Sequence, residues 1–198
     1  PQFGRTVRGR GRVCDRPAAA LAAMDAGSWF GKEFAGEPVP TYEQVVNFCK
    51  ANNIWMNVEI KPAPGFEAQT GRVVAALTQR LFAAEIAAHV PDAALPLFSS
   101  FSFAALQAAQ AAAPEIPRGF LVDAIPSDWQ QRLRELGAVA LHTNHKNLTE
   151  KLARAVKEQG AGLLCYTVNT PQRAREILGW GVDALCTDRI DLIGPDFA

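Results

Sequence analysis

Cysteine is scarce and scattered in this chain: Cys14, Cys49, Cys165 and Cys186 are the four in 198 residues, and no two form a C-x-x-C pair. Cys165 and Cys186 sit in apolar, strand-like runs where a free thiol behaves as a small hydrophobe, and unpaired thiols fit a reducing, cytoplasmic setting. An excess of one charge is missing too. Twenty basic residues face 20 acidic ones, which argues against a bulk nucleic-acid or membrane-surface binder. No apolar run approaches the roughly 20 residues that a membrane helix needs, and no charged-then-apolar leader opens the chain. Glycine-rich phosphate loops of the G-x-G-x-x-G or Walker type do not occur. Nor is there an initiating methionine: a chain that starts at Pro1 reads as a piece of something longer.

What is present is a regular alternation. With 48% apolar residues the chain has enough to bury one core. Strand-like runs at 55–60, 95–100, 119–122, 138–143, 162–168 and 184–187 alternate with helical stretches at 71–89, 103–112, 127–136, 148–159 and 170–180. Thr170-Pro171 reads as an N-cap with a first-turn proline, and Gly160 and Gly181 as glycines just past helix ends. The short strand-to-strand spacing predicts parallel strands with right-handed crossovers, so the fold class is α/β. A (β/α)8 barrel and an open doubly wound sheet both fit that rhythm.

Polar residues gather at the C-terminal ends of these runs and favour the barrel: Glu59 and Lys61, Ser99 and Ser100, Asp123, His142 and Asn144, Tyr166 with Asn169, and Asp188. Strand-to-helix loops are polar in any case, and helix caps account for some of this set. The most informative stretch is WMNVEIKP at 55–62. Alternation sends Glu59 and Lys61 to one face of an otherwise apolar run, where burial is expected, and Val58 and Ile60 to the other. Such a pair serves equally well as a polar cluster in a barrel mouth or as a structural ion pair. Residues 1–40 differ in character, rich in Gly, Arg and Pro, and read as an insertion-like subdomain ahead of a barrel at 41–198, the whole forming a single domain. The arginines Arg5, Arg8, Arg10 and Arg12 lack interleaved aromatics and read as a solvated loop. Thr41 caps a helix from about Tyr42 to Asn52.

Taken in order, Arg5-Thr6 with Gly9 and Gly11, MDAGSWFGKEFAGEPVPT at 24–41, NVEIKP at 57–62, LFSSF at 97–101, YTVNTP at 166–171 and WGVDALCTD at 180–188 closely resemble the glycerophosphodiester phosphodiesterase family, in particular its bacterial cytosolic members. The resemblance implies a TIM barrel of the phospholipase-C-like phosphodiesterase type that cleaves glycerophosphodiesters to glycerol 3-phosphate and an alcohol, in lipid and glycerol metabolism. It implies that Glu59 is a ligand to a divalent metal, Mg²⁺ or Ca²⁺, and that Lys61 contacts the phosphate. A hard cation prefers carboxylate oxygens, and an adjacent ammonium neutralises the remaining phosphate charge. Tyr166 stands where family members usually carry Trp, as an aromatic wall near the substrate; Asn169 and Ser99 match substrate-binding positions of secondary role, and His142 and Asp188 match strand-end positions of secondary role.

The family's acid–base histidines, one in an H-R-G motif and one in an H-D pair, have no counterpart here, so no catalytic residue is assigned. A Glu and an Asp ligand from the first two strands are missing with them. Six strands of eight are visible, and about 50 residues are absent against the roughly 250 of an ordinary barrel. The expectation is therefore a barrel lacking its first two βα units, with impaired hydrolysis, since acid–base help contributes about 10²–10⁴-fold. Open sheet edges would invite pairing into a homo-oligomer. Alternatives are an inactive phosphate-ligand-binding module, a structural fragment, and an aldolase, for which Lys61 beside Glu59 is poorly desolvated.

Overall fold

Six short strands form one parallel sheet in the computed structural model, which describes residues 2–197. These are β1 (Asn57–Glu59), β2 (Leu97–Ser100), β3 (Arg118–Val122), β4 (Ala140–Asn144), β5 (Gly162–Tyr166) and β6 (Ala184–Leu185), arranged side by side in chain order. A doubly wound sheet reverses its strand order part-way across; an unbroken order is the winding of a barrel wall. Each strand overlaps the run that the sequence predicts; β3 begins one residue earlier and β4 ends one residue later than expected, and the other four lie within their runs.

Register sorts the side chains into two faces. Glu59 pairs with Ser99, Ser99 with Gly119, Gly119 with Ala140 and Ala140 with Gly162. One step further along, Leu121 pairs with His142 and His142 with Leu164, and then Asn144 with Tyr166. Strand periodicity puts all of these on one face. The other face carries Phe98, Phe120, Leu141, Leu163 and Cys165, all buried, each large side chain contributing about 1.5–3 kcal/mol. That face is apolar because the crossover helices α5 (Phe103–Ala112), α6 (Trp129–Leu136) and α7 (Glu150–Glu158) pack on the sheet.

Helix ends are set by local chemistry. Ser102 accepts from Ala105 N at the start of α5, and Thr149 from Leu152 N at the start of α7. Gly160 and Gly181 adopt φ of +74° and +95° just past α7 and α8 (Pro171–Gly179), the expected left-handed stops. Thr170 makes no capping bond, and Pro171 alone marks the start of α8. The stretch 71–89, expected as one helix, is α3 (Glu67–Leu81) followed by α4 (Ala83–Ala87). Phe82 interrupts it at φ −112°, ψ 20°, with its side chain buried. The buried Arg118 guanidinium donates to the Leu136 and Gly137 carbonyls and to Ile116 O, satisfying the end of α6.

The chain divides into two compact units, residues 1–55 and 56–198, and the sheet lies in the second. In the first unit, α1 (Ala18–Ala22) is a single short helix, and α2 (Tyr42–Ala51) begins with a full capping box between Thr41 and Gln44. Arg5, Arg8, Arg10 and Arg12 are exposed. The Asp25 carboxylate, hydrogen-bonded by the Ser28 hydroxyl and the backbone N–H groups of Ser28, Gly36 and Gly27, is held well below the usual carboxylate range. Among the described residues no helix is long and apolar enough to cross a membrane.

Candidate functional site

The end of β1 is fixed by two bonds to β2: Ile60 N donates to Ser99 O at 2.7 Å, and the Ser100 hydroxyl donates to Ile60 O at 2.6 Å. Ile60 is thereby buried against the core, and Glu59 and Lys61 are left on the opposite side. Both are exposed, which corrects the expectation of buried charges. No ion pair joins them among the described residues. They line one open cavity of about 280 Å³ together with Ser100, Phe101 and Ser102. A larger cavity of about 580 Å³ lies along β6, lined mainly by apolar residues such as Leu185, Ile190 and Ile193.

Ser99 is fully buried beside Glu59 in register, and its hydroxyl has no hydrogen-bond partner. His142 leans from β4 across β3, so that a Cβ on Gly119 would meet its Nε2 at 2.6 Å. Its Nδ1 has no partner, and burial pushes its pKa down to about 4, so the imidazole is neutral at pH 7. Two unsatisfied polar groups thus flank Gly119 on the sheet face that carries Glu59.

Tyr166 ends β5, and its hydroxyl donates to Val122 O at 2.9 Å. Its ring meets Phe101 edge to face, with centroids 6.0 Å apart. Burial first, then the carboxylates of Asp123 and Glu59, push its pKa up to about 12. Asp123 is itself held by two amides: Asn144 Nδ2 donates to its Oδ1 and Asn147 Nδ2 to its Oδ2, both at 2.9 Å. Tyr166 is therefore linked to the Glu59–Lys61 cavity through Phe101. Asn169 is not among the residues lining that cavity. It donates to Asp188 Oδ2 and accepts from Asp188 N and the Thr187 hydroxyl, bracing the loop after β6. His145 is engaged by Arg173, which donates to its carbonyl and to Nδ1; burial and then the Arg173 charge lower its pKa. His89 lies outside the sheet, exposed beyond α4 at φ 51°.

Phe101 and Asn147 are the site-adjacent residues that sequence reasoning left unassigned. Phe101 closes the LFSSF motif directly after β2, so its position at a strand end was the available signal; Asn147 sits in a polar loop that carries none.

A hard cation takes six to eight oxygen ligands. Among the described residues no group of three or more His, Cys, Asp or Glu side chains is placed to hold a metal. Glu59 and Glu67, the two carboxylates that line the cavity, do not meet that requirement.

A sequentially ordered parallel sheet with a carboxylate, an ammonium and an aromatic pair at its C-terminal edge is the frame of a barrel-type enzyme, whose site lies at that edge. Residues 1–192 match the glycerophosphoryl diester phosphodiesterase family, and the chain belongs to it. A phosphodiesterase from Oleispira antarctica, solved in complex with its product sn-glycerol-3-phosphate, superposes with a TM-score of 0.83 at 34% identity, over 94% of this chain and 72% of that one. Glycerophosphodiester phosphodiesterase from Caldanaerobacter subterraneus is 28% identical over 189 residues, covering 93% of this chain and 72% of its own length. A structure from Agrobacterium tumefaciens at 23% identity shares the fold, with a TM-score of 0.74.

Proposed function

We propose that this chain binds and hydrolyses glycerophosphodiesters, releasing glycerol 3-phosphate and a head-group alcohol, with its six strands serving as the third to eighth of a (β/α)8 barrel. The observation that carries the proposal is the cavity that Glu59 and Lys61 line together at the end of β1. Lys61 neutralises a non-bridging phosphate oxygen and Tyr166 contributes to substrate binding, while Ser99, buried beside Glu59, and Asn169, bonded to Asp188, act on the substrate from behind the cavity wall. Glu59 is the strand-end carboxylate with the chemistry of a ligand to Mg²⁺ or Ca²⁺; Glu67 also lines the cavity, and two carboxylates fall short of the six to eight oxygens such a cation takes.

Hydrolysis needs water to attack phosphorus while the bond to the head-group oxygen breaks. The water gives up a proton and the departing alcohol gains one. His142 is buried, and His145 is bound by Arg173. With neither imidazole free for this, residues 1–198 alone turn substrate over slowly, short of the roughly 10²–10⁴-fold that acid–base help supplies. A second reading, binding without turnover, rests on the same two histidines.

The test is glycerol 3-phosphate release from glycerophosphocholine, with and without Mg²⁺ or Ca²⁺, paired with calorimetric binding of glycerol 3-phosphate. Binding that Lys61→Ala weakens at least about tenfold, with slow release, supports the proposal. Binding without release selects the second reading. Neither binding nor release overturns both.

A further inference from the structure

We propose that Phe101, Tyr166 and Asp123 form the subsite for the departing head group and select a cationic alcohol, an ammonium or quaternary ammonium, over a neutral polyol. This rests on the Glu59–Lys61 cavity being the phosphodiester site.

Three observations converge. First, the aromatic pair is preformed. The Tyr166 ring is pinned by its hydroxyl bond to Val122 O, and Phe101, half exposed on the wall of the cavity, meets it at an interplanar angle of 86°. A fixed ring costs little entropy on binding, and a cation within about 6 Å of a ring face is attracted by its quadrupole.

Second, Asp123 directly follows the residue whose carbonyl receives the Tyr166 hydroxyl. Its two carboxylate oxygens are each oriented by an amide, from Asn144 and Asn147, and keep further lone pairs for a ligand. No cation pairs with this exposed carboxylate among the described residues. A bound ammonium gains that charge without displacing an existing partner.

Third, the charges are sorted. Lys61 is the one cation among the residues lining the cavity, which Glu59 and Glu67 also line, and the carboxylates of Glu59 and Asp123 both act on the Tyr166 hydroxyl. The arrangement offers an ammonium for phosphate and an aromatic, acidic corner for a positive group, which matches a zwitterion. A neutral polyol recovers hydrogen bonds there and neither the cation–π nor the charge attraction.

The test compares glycerophosphocholine with glycerophosphoglycerol, which carry the same phosphate and differ in head-group charge. The ratio of kcat/KM favours the choline ester by about tenfold. Asp123→Asn and Phe101→Leu each bring the ratio several-fold closer to one. Phe101→Leu touches neither amide bond of Asp123, so agreement between the two variants separates charge recognition from loop disorder. Where turnover is too slow to measure, the ratio of dissociation constants gives the same reading. A wild-type ratio near one, or variants that weaken both esters equally, overturns the subsite. Failure of both esters to bind instead overturns the phosphodiester site, and the subsite with it.

Discussion

The Tyr166 hydroxyl reaches across β4 to donate to the Val122 carbonyl at 2.9 Å, tying the end of β5 to the end of β3. Neither strand is adjacent to the other in the sheet, so this bond stiffens the C-terminal edge in a way the ladder does not. Tyr166→Phe keeps the ring and removes the bond. A net loss of about 1 kcal/mol follows, read as a melting temperature about 2–4 °C lower for a chain of this size. An unchanged melting temperature would show that the bond contributes nothing.

His142 gives stability a pH dependence. The folded protein resists protonating this buried imidazole until about pH 4, whereas the unfolded chain takes up the proton near 6.5. The contribution is complete above pH 6.5 and is lost as the pH falls toward 4. Its size is about 3 kcal/mol. Urea unfolding of wild type and His142→Gln between pH 4 and 7 tests this: the wild type loses stability faster on acidification, and parallel curves would refute it.

Gly119 exists to admit that ring. A Cβ at this position would meet Nε2 at 2.6 Å, Cε1 at 3.0 Å and Cδ2 at 3.1 Å of His142, which is buried and has little room to move. Gly119→Ala therefore costs about 1–3 kcal/mol in the wild type. In a His142→Ala background the cost shrinks, and a double-mutant cycle reads the difference as coupling of at least about 0.5 kcal/mol. Additive losses would mean that the clash lies elsewhere.

Two helical glycines predict opposite signs. A Cβ on Gly71, in α3, would lie 2.2 Å from the backbone carbonyl oxygen of Ala105 in α5, so Gly71→Ala must push two helices apart and costs about 2 kcal/mol or more. Gly179, in the last turn of α8, has nothing within 4 Å of such a Cβ. Gly179→Ala stabilises by about 0.5–1 kcal/mol. Chemical denaturation of the pair settles both.

Much of this frame was legible in the sequence because it depends on local pattern. The apolar runs located all six strands, and the phenylalanine-to-alanine span 103–112 coincides with α5 at both ends. Less legible was anything decided by tertiary contact. The break at Phe82 arises where the ring enters the core, which no helical periodicity announces. Glu59 and Lys61 were placed correctly on one face but expected in a buried setting, because alternation reports direction and not how far the neighbouring strand covers a side chain. The Asp123–Asn144–Asn147 cluster joins residues 21 and 24 positions apart, and register alone brings them together.

Because the strands stand side by side in chain order, each pairing links segments separated by one crossover, about 20–40 residues along the chain, and loop closure is inexpensive at every step. The sheet can thus accrete one strand and helix at a time, without waiting for a distant partner. Protection of backbone amides against exchange should then be graded, deepest in β3 and β4, which lie farthest from either edge, and shallowest at β1 and the two-residue β6. The candidate phosphate-binding pair sits at the end of β1, in the part of the sheet that opens most readily.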